Sequence, residues 1–421
     1  MEKTAIELFA GVGGFRVGLN DIKGFDSKTG RAIENGPWTF VWANQWEPSR
    51  KTQDAFNCYS LRFGPENSSN QDICLVDKKT LPTHTLLTGG FPCQDYSVAH
   101  PKNSEKGIEG KKGVLWWQIN EILLAKRPPF VLLENVDRLL KSPSNQRGQA
   151  FGIILRCFNE AGYGVHWRVI NAADYGHPQK RRRTFVFAFH KSTNYYKVFV
   201  KLAKKKDEAS IIKNDLMFSD GFKCEIKDKC KAKTGQIGKA SYADLFEVSN
   251  RFKFPFGNAG FSIDYQISTI DVVAISTPKA KTLGECLDVD NVPDYCYKKN
   301  VDLFKFLKGG KKLKRTAKNG HQYLYSEGPI PFPDRLDWPG RTMLTSEGTT
   351  NRSSHFILDP SSNRYRILTP IECERLDEFP DDWTNSGMSQ RFRYFIAGNA
   401  LVTGLIKTMG ESIERIVDQE Q

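Results

Sequence analysis

The residues with the clearest capacity for chemistry are 89–94, which read Gly-Gly-Phe-Pro-Cys-Gln. They follow a short apolar run at 84–88 that predicts a buried strand. Pro92 fixes its own φ and biases Phe91 towards extended geometry, so the turn presents the Cys93 thiol in a restricted way. A thiol needs only a modest lowering of its pKa to become a nucleophilic thiolate. Taken alone, however, the motif favours a buried and inert cysteine.

Two further groups of ionisable side chains lie beside strand-like runs. A buried strand predicted at 130–133 delivers Glu134 at its carboxyl end, followed by Asn135 and Val136. The strand predicted at 184–189 is preceded by Gln179-Lys180-Arg181-Arg182-Arg183. A carboxyl group and a guanidinium can stabilise charge that develops on a reacting ring. The simpler alternatives are a helix-capping carboxylate for Glu134 and phosphate contacts for the arginines.

A glycine-rich turn lies near the start of the chain. Residues 4–9 form a short apolar strand that runs into Ala10-Gly11-Val12-Gly13-Gly14, and a helical pattern follows. A strand, a glycine turn and a helix N-terminus let the backbone approach a ligand closely, as in the first turn of a Rossmann-like unit. The spacing is not the G-x-G-x-x-G of dinucleotide enzymes, and many glycine loops are only tight turns.

The second predicted strand, at 38–43, ends just before Gln45-Trp46-Glu47. In a nucleoside-binding fold, an acidic side chain at this place accepts hydrogen bonds from the ribose hydroxyls. The Trp46 indole could cover an adenine face, and core packing is an equal alternative for it.

The elements that must position these groups alternate between strand and helix over the first 190 residues. This alternation predicts a doubly wound α/β fold, with a mostly parallel sheet and helices on both of its faces. The glycine turn, residues 45–47, Asp72, Cys93 and Glu134 all fall just after a predicted strand. Because the carboxyl ends of strands in an open α/β sheet share one crevice, we expect these groups to meet there.

The composition limits the chemical class of the partner and the cellular compartment that fit this chain. The 421-residue chain carries a formal net charge of +13, which suits a polyanion such as nucleic acid or a membrane surface. No apolar run is long enough to cross a bilayer, and the N-terminus lacks the layout of a signal peptide. Nine scattered cysteines form no metal-binding spacing, and an odd number without a signal peptide fits a reducing cytoplasm. From about residue 191 the alternation stops, and lysine-rich stretches predict a second, irregular domain.

Taken together, the motifs resemble those of the DNA cytosine-5 methyltransferases of bacterial restriction-modification systems. The matching residues are Phe9-Ala10-Gly11-Val12-Gly13-Gly14, Phe91-Pro92-Cys93-Gln94, Glu134-Asn135-Val136, Gln179-Lys180-Arg181-Arg182-Arg183, Arg366-x-Leu368-Thr369-Pro370 with Arg375-Leu376 and Phe379-Pro380, and Gly398-Asn399-Ala400. The resemblance covers residues 4–190 and 364–404. It implies a Rossmann-like, S-adenosylmethionine-dependent methyltransferase fold with a smaller, irregular target-recognition domain. We therefore expect a catalytic and cofactor-binding domain at 1–190, a target-recognition domain and hinge at 191–385, and a segment at 386–421 that returns to the catalytic domain.

The resemblance also implies a mechanism. Cytosine C5 is a poor nucleophile, and addition of the Cys93 thiolate at C6 makes the ring an enamine-like donor that can take a methyl group at C5. Glu134 is expected to hydrogen-bond or protonate N3, and Arg183 to bind O2 and orient Glu134. The expected catalytic residues are Cys93, Glu134, Arg181, Arg183, Pro92 and Gln94. The sequence does not identify the base that removes the C5 proton.

For the cofactor, the resemblance implies S-adenosylmethionine, with S-adenosylhomocysteine as the product and no metal. The expected binding residues are Phe9, Gly11, Val12, Gly13, Gly14, Gln45, Trp46, Glu47, Asp72, Ile73, Pro92, Leu115, Asn399 and Ala400. The family usually has a Glu where Gln45 stands, so either Gln45 or Glu47 binds the ribose. After the catalytic cysteine the family usually carries Arg before a glycine. Here Lys112 precedes Gly113, which keeps the charge but loses the bidentate fork.

We expect the substrate to be double-stranded DNA, with the target cytosine flipped out because its C6 is hidden within the stack. The basic second domain is the expected place for phosphate contacts and base reading. A restriction endonuclease encoded nearby, a monomeric state and the lack of a membrane partner complete the expectation.

Three alternatives compete with this interpretation. A methyltransferase of the same family that acts on RNA would not need a large recognition domain, and the long stretch at 191–363 favours duplex DNA. A nicotinamide oxidoreductase is disfavoured by the glycine spacing and by the Pro-Cys-Gln motif. A non-catalytic DNA-binding module is disfavoured by the intact Cys93 and Glu134.

Overall fold

The computed structural model describes residues 1–91, 114–205, 207–277, 279–288, 290–316 and 320–420. Pro92, Cys93, Gln94, Lys112 and Gly113, which the sequence singles out, lie outside these residues. The strands are β1 Thr4–Leu8, β2 Thr39–Asn44, β3 Ser68–Ser69, β4 Leu86–Gly90, β5 Phe130–Val136, β6 Tyr163–Asn171, β7 Arg182–His190, β8 Cys224–Ile226, β9 Lys233–Gln236, β10 Ala259–Ile263, β11 Gln266–Ile270, β12 Val272–Ala274, β13 Lys311–Thr316, β14 Gln322–Glu327, β15 Phe356–Leu358 and β16 Tyr365–Ile367. The helices are α1 Gly14–Leu19, α2 Asp54–Phe63, α3 Val114–Lys126, α4 Gln149–Glu160, α5 Asn194–Ala203, α6 Glu208–Lys213, α7 Leu245–Arg251, α8 Val301–Lys308, α9 Pro370–Leu376, α10 Gln390–Asn399 and α11 Thr403–Asp418.

Ten strands form one sheet, in the order β3-β2-β1-β4-β5-β7-β6-β10-β11-β9. The first five strands in this order are parallel, and every later pair is antiparallel. The expectation of a mostly parallel sheet therefore holds only for that first part. The reason is that a short segment without a crossover α-helix joins β6 to β7, so the chain returns beside itself in the opposite direction.

Helices cover both faces of the sheet because neighbouring side chains along a strand point to opposite sides. On β5, for example, Phe130 and Val131 belong to two different apolar clusters. One cluster joins the sheet to α1 and α11, and the other joins it to α3 and α4. The C-terminal helix α11 thus packs on the same face as the first helix, through residues such as Leu19 and Leu405.

The sheet continues well beyond residue 190, because β9, β10 and β11 extend its edge. Helices α5 and α6 pack on it within the same apolar cluster as α11. A separate and smaller apolar cluster lies within residues 283–397 and includes Phe304, Phe356, Ile367 and Leu376. The boundary that the sequence places at residue 190 does not coincide with the end of the sheet, because β10 joins the sheet by pairing with β6, a contact between segments far apart in the chain.

In the described part of the chain, no helix is both long enough and apolar enough to cross a membrane.

Candidate active site

A cleft of about 430 Å³ opens where β1, β2, β4 and β5 end. Its described wall includes Phe9, Gly11, Val12, Gly14, Gln45, Trp46, Glu47, Leu115, Glu134, Arg183, Asn399 and Ala400. The glycine turn, residues 45–47 and Glu134 therefore meet at one edge of the sheet. The C-terminal residues reach the same cleft because α10 ends there.

The glycine turn requires glycine most strictly at Gly13. This residue has a φ of 89°, and a Cβ placed on it would lie 2.4 Å from the Phe63 ring. Gly11 also has a positive φ, but a Cβ there would meet nothing within 4 Å, so this part of the backbone faces open space. The N–H of Gly11 donates to Oε1 of Gln45 over 2.8 Å. This bond ties together the turns that follow β1 and β2.

Glu7 lies beneath this turn, and the sequence analysis missed it. Its side chain is fully buried in β1 and accepts a hydrogen bond of 3.0 Å from the N–H of Phe15, in the first turn of α1. Burial raises the pKa of Glu7 to about 8, so the group is mostly protonated at neutral pH. The available signal was a glutamate in the middle of an apolar strand, which is a buried polar group that needs an explanation.

Glu134 and Arg183 form an ion pair on the cleft wall, with 2.7 Å between Nε of Arg183 and Oε1 of Glu134. β5 and β7 are antiparallel neighbours, and their register places Val136 opposite Arg183, so Glu134 lies diagonally across from the arginine. On the other side Gly90 pairs with Glu134, and a Cβ on Gly90 would lie 3.3 Å from Oε2 of that carboxylate. The arrangement aims a carboxyl group and a guanidinium at one small region of the cleft.

Alternation along the chain separates the members of the run at 179–183. Gln179 and Arg181 are buried, Arg183 reaches the cleft, and the two residues between them are exposed. Arg181 donates to the carbonyl oxygens of Met343 over 3.3 Å and Gly398 over 3.1 Å. Burial lowers the pKa of Arg181 to about 10. The described wall of the cleft does not include Arg181, whose contacts are with the segments around Met343 and Gly398.

Two side chains after β2 offer contacts to a ligand. Glu47 is half-buried, and its Oε2 has no hydrogen-bond partner among the described residues. Burial raises the pKa of Glu47. Trp46 is 37% exposed beside it, which leaves its indole ring accessible. A buried carboxylate oxygen without a partner fits a hydroxyl donor such as a ribose.

The described wall of the cleft does not include the two residues expected at the edge of an adenine. Asp72 accepts a hydrogen bond of 3.0 Å from the N–H of Cys74, and Ile73 is buried in the core. Their contact with the adenine stays a prediction. Among the residues that the structure describes, no cluster of three or more His, Cys, Asp or Glu side chains could hold a metal ion.

Comparison with known proteins decides the family. The profile of the C-5 cytosine-specific DNA methylases matches residues 3–415. This chain belongs to that family. It is 47% identical over 416 residues to the Type II methyltransferase M.Sau3AI of Staphylococcus aureus, which covers 98% of this chain and 95% of that protein. It is also 34% identical over 189 residues to the Type II methyltransferase M.HhaI of Haemophilus parahaemolyticus, across 45% of this chain and 50% of that protein.

The fold is similar to the crystal structure of the S. pombe Dnmt2 methyltransferase, with a TM-score of 0.57, coverage of 99% and 98% of the two chains, and 13% identity. This likeness confirms the α/β, Rossmann-like methyltransferase fold and carries no further inference. The family match confirms that the chain is a DNA cytosine-5-methyltransferase, whose methyl donor is S-adenosylmethionine and whose substrate is DNA.

Proposed function

We propose that this enzyme methylates C5 of a cytosine flipped out of duplex DNA, through a covalent bond between Sγ of Cys93 and C6 of the base. The observation that supports this most directly is the Glu134–Arg183 pair on the cleft wall beside Gly90. Cys93 follows Gly90 by three positions, and three residues reach at most about 10 Å. The thiol can therefore meet the same base that Glu134 and Arg183 contact.

In the proposed mechanism, the Cys93 thiolate donates an electron pair to C6, and the electrons of the C5–C6 double bond shift towards C5. Glu134 hydrogen-bonds or protonates N3, which keeps negative charge from building up on the ring, while Arg183 donates to O2. C5 then takes the methyl group that bound S-adenosylmethionine supplies from its sulfonium. A base removes the C5 proton, and the electrons of that C–H bond expel Cys93 as a thiolate.

The cleft fits S-adenosylmethionine in three places. The open space in front of Gly11 suits the methionine portion, and the accessible indole of Trp46 suits the adenine. The unpartnered oxygen of Glu47 suits the ribose hydroxyls. Since Oε1 of Gln45 already accepts from the N–H of Gly11, we assign the ribose to Glu47.

The similarity to a Type II methyltransferase also suggests a biological role. We propose that methylation protects host DNA from a restriction endonuclease encoded nearby. The support is the 47% identity, over nearly the whole chain, to a protein named as a Type II methyltransferase. DNA from cells that express the enzyme should then resist an endonuclease that cuts at the methylated sequence.

The covalent step can be tested by trapping the enzyme on DNA. Bisulfite sequencing of DNA from expressing cells first identifies the target sequence. A duplex with 5-fluorocytosine at the target should then form a covalent complex in the presence of S-adenosylmethionine, because fluorine cannot leave as the C5 proton does. Mass spectrometry should locate the bond at Cys93, and Cys93→Ala should form no adduct while it binds the cofactor normally. An enzyme that is active on its target but forms no adduct would refute the mechanism.

A further inference from the structure

The hairpin of β13 and β14 follows α8, which contributes Phe304 to the smaller apolar cluster. Most residues of its two strands are exposed, including the apolar side chains of Leu313, Tyr323 and Leu324. An isolated two-stranded ribbon is marginally stable at best in water. Its exposed apolar and charged surface therefore has no explanation in folding and indicates a contact with another molecule.

The charged side chains on one face of the hairpin have partners within the protein. The Arg315 guanidinium lies 3.7 Å from the centre of the Tyr325 ring, and the Tyr325 hydroxyl donates to Glu327. At the start of β13, the Lys311 ammonium lies 4.6 Å from the centre of the Phe306 ring. These contacts occupy the charged side chains of this face, while Leu313 and Tyr323 on the same face stay exposed.

The opposite face offers polar groups to solvent. The register pairs Lys312 with Ser326, Lys314 with Leu324 and Thr316 with Gln322, so these six side chains share one face, which we call the reading face. All six are exposed. Within the described part of the chain, the side chains of Lys312, Lys314, Thr316 and Gln322 take part in no hydrogen bond or ion pair.

Buried charges anchor the base of the hairpin. The Lys308 ammonium, which is fully buried, lies 2.8 Å from Oδ2 of Asp334, and Nε of Arg341 lies 2.5 Å from the other oxygen of that carboxylate. Arg352 donates to the carbonyl oxygen of Gly309, two positions before the start of β13, over 3.1 Å. The Lys308–Asp334 pair is removed from water and holds one arrangement of partners, because breaking it would leave the other charge buried alone.

The same anchor is connected to the cleft. Gly340, next to Arg341, accepts from the N–H of Lys180 over 2.8 Å and donates to the carbonyl of Pro178 over 2.7 Å. Arg181 donates to the carbonyl of Met343 over 3.3 Å. The segment at 340–343 therefore links the hairpin to the run of residues that ends in the cleft arginine.

We propose that the hairpin enters the major groove of the substrate duplex and that its reading face contacts base edges. The inference rests on the proposed function. A major groove about 12 Å wide admits a two-stranded ribbon. Lys donates to guanine, Gln pairs with adenine, and an apolar side chain such as Leu324 meets the thymine methyl group. Duplex RNA fits this surface poorly, because its major groove is too narrow for side chains to read.

The test measures sequence preference rather than total activity. Two double variants alter the reading face, Thr316→Ala with Gln322→Ala and Lys312→Ala with Lys314→Ala. The matched control is Lys201→Ala with Lys204→Ala, two exposed lysines on and just after α5. Each protein methylates a library of duplexes with randomised bases around one cytosine, and bisulfite sequencing reads the product. Calorimetric titration with S-adenosylmethionine shows whether each variant keeps its folded cofactor site.

We expect the wild type and the control to share one narrow consensus, while at least one hairpin variant loses about 10-fold or more of its preference at one or two base positions. Cofactor affinity should stay the same, because exposed side chains are changed. An unchanged consensus in both hairpin variants refutes the inference, and so does a uniform loss of rate on all sequences, which indicates phosphate contacts only. A wild type that methylates no duplex refutes the proposed function and this inference with it, whereas an active wild type with unaltered variants refutes the inference alone.

Discussion

The substitution Gly13→Ala tests how strictly packing constrains the cofactor turn. A φ of 89° is a left-handed conformation, which costs an L-residue about 1–2 kcal/mol. In addition, the new Cβ would lie 2.4 Å from Cε2 of Phe63. The Phe63 ring cannot yield easily, because its centre lies 4.6 Å from that of Tyr59 and 5.6 Å from that of Trp383. Overpacking of this kind costs about 1–3 kcal/mol.

The expected loss in the free energy of unfolding is therefore about 2–5 kcal/mol for Gly13→Ala. Gly387→Ala is the matched control. Gly387 has a φ of 93°, but a Cβ there would meet nothing within 4 Å, so only the backbone cost of about 1–2 kcal/mol applies. The difference between the two variants isolates the collision with Phe63.

Urea unfolding gives the free energy, and calorimetric titration with S-adenosylmethionine gives the affinity. Gly13→Ala should be less stable than Gly387→Ala by about 1 kcal/mol or more, and should bind the cofactor more weakly because the turn must move. Equal unfolding midpoints together with equal cofactor affinities would refute the reasoning, since the close approach of Phe63 would then place no constraint on the turn.

Three further predictions concern the cleft. Because burial raises the pKa of Glu7 from 4.5 to about 8, folding takes up a proton between these pH values. As the pH rises through this range, the free energy of unfolding of the wild type should fall, and its slope should exceed that of Glu7→Gln by about 1.4 kcal/mol per pH unit. Urea unfolding at several pH values between 4.5 and 8 measures this difference. Glu47→Gln should weaken cofactor binding about 10-fold by calorimetry, and the loss should shrink for an analogue without ribose hydroxyls, whereas the loss in Gln45→Ala should be the same for both ligands. Arg183→Lys should lower single-turnover methylation about 100-fold while leaving cofactor affinity nearly unchanged, because an ammonium cannot contact Glu134 and the base in the same fork geometry.

Each of these predictions has a clear contrary result. A Glu7→Gln protein with the pH dependence of the wild type would mean that the Glu7 carboxyl does not take up a proton on folding. A Glu47→Gln protein with equal losses for both ligands would place the ribose elsewhere in the cleft. Normal turnover in Arg183→Lys would separate the Glu134–Arg183 pair from the chemistry.

Several features of the site could be predicted because they are local in sequence. The glycine turn follows an apolar strand directly, and Glu134 is carried by the end of β5 itself, so strand and turn chemistry place each of them within a few residues. The ends of neighbouring parallel strands lie at one edge, which brings Glu134, the glycine turn and residues 45–47 into one cleft. Asp72 follows the same pattern in sequence, and one oxygen of its carboxylate accepts a hydrogen bond within its own turn.

Other features depend on residues far apart in the chain. The hydrogen bond from Gly11 to Gln45 joins two turns that are 34 residues apart in the chain. Arg181 is separated from Arg183 because the segments at 343 and 398 bury Arg181. No local pattern records these contacts, because each one requires the sheet and the C-terminal helices to be in place first.

The sequence by itself determined the family, the order of the motifs and the first parallel strands, since each rests on short-range patterns of apolar, turn and reactive residues. Only the tertiary structure decided that the sheet extends to β9, that Glu7 is buried beneath the turn, and that the described strands of the β13–β14 hairpin expose the reading face to solvent. The physical reason is that strand pairing, burial and exposure are set by which distant segments exclude water from one another, and a linear pattern does not contain that information.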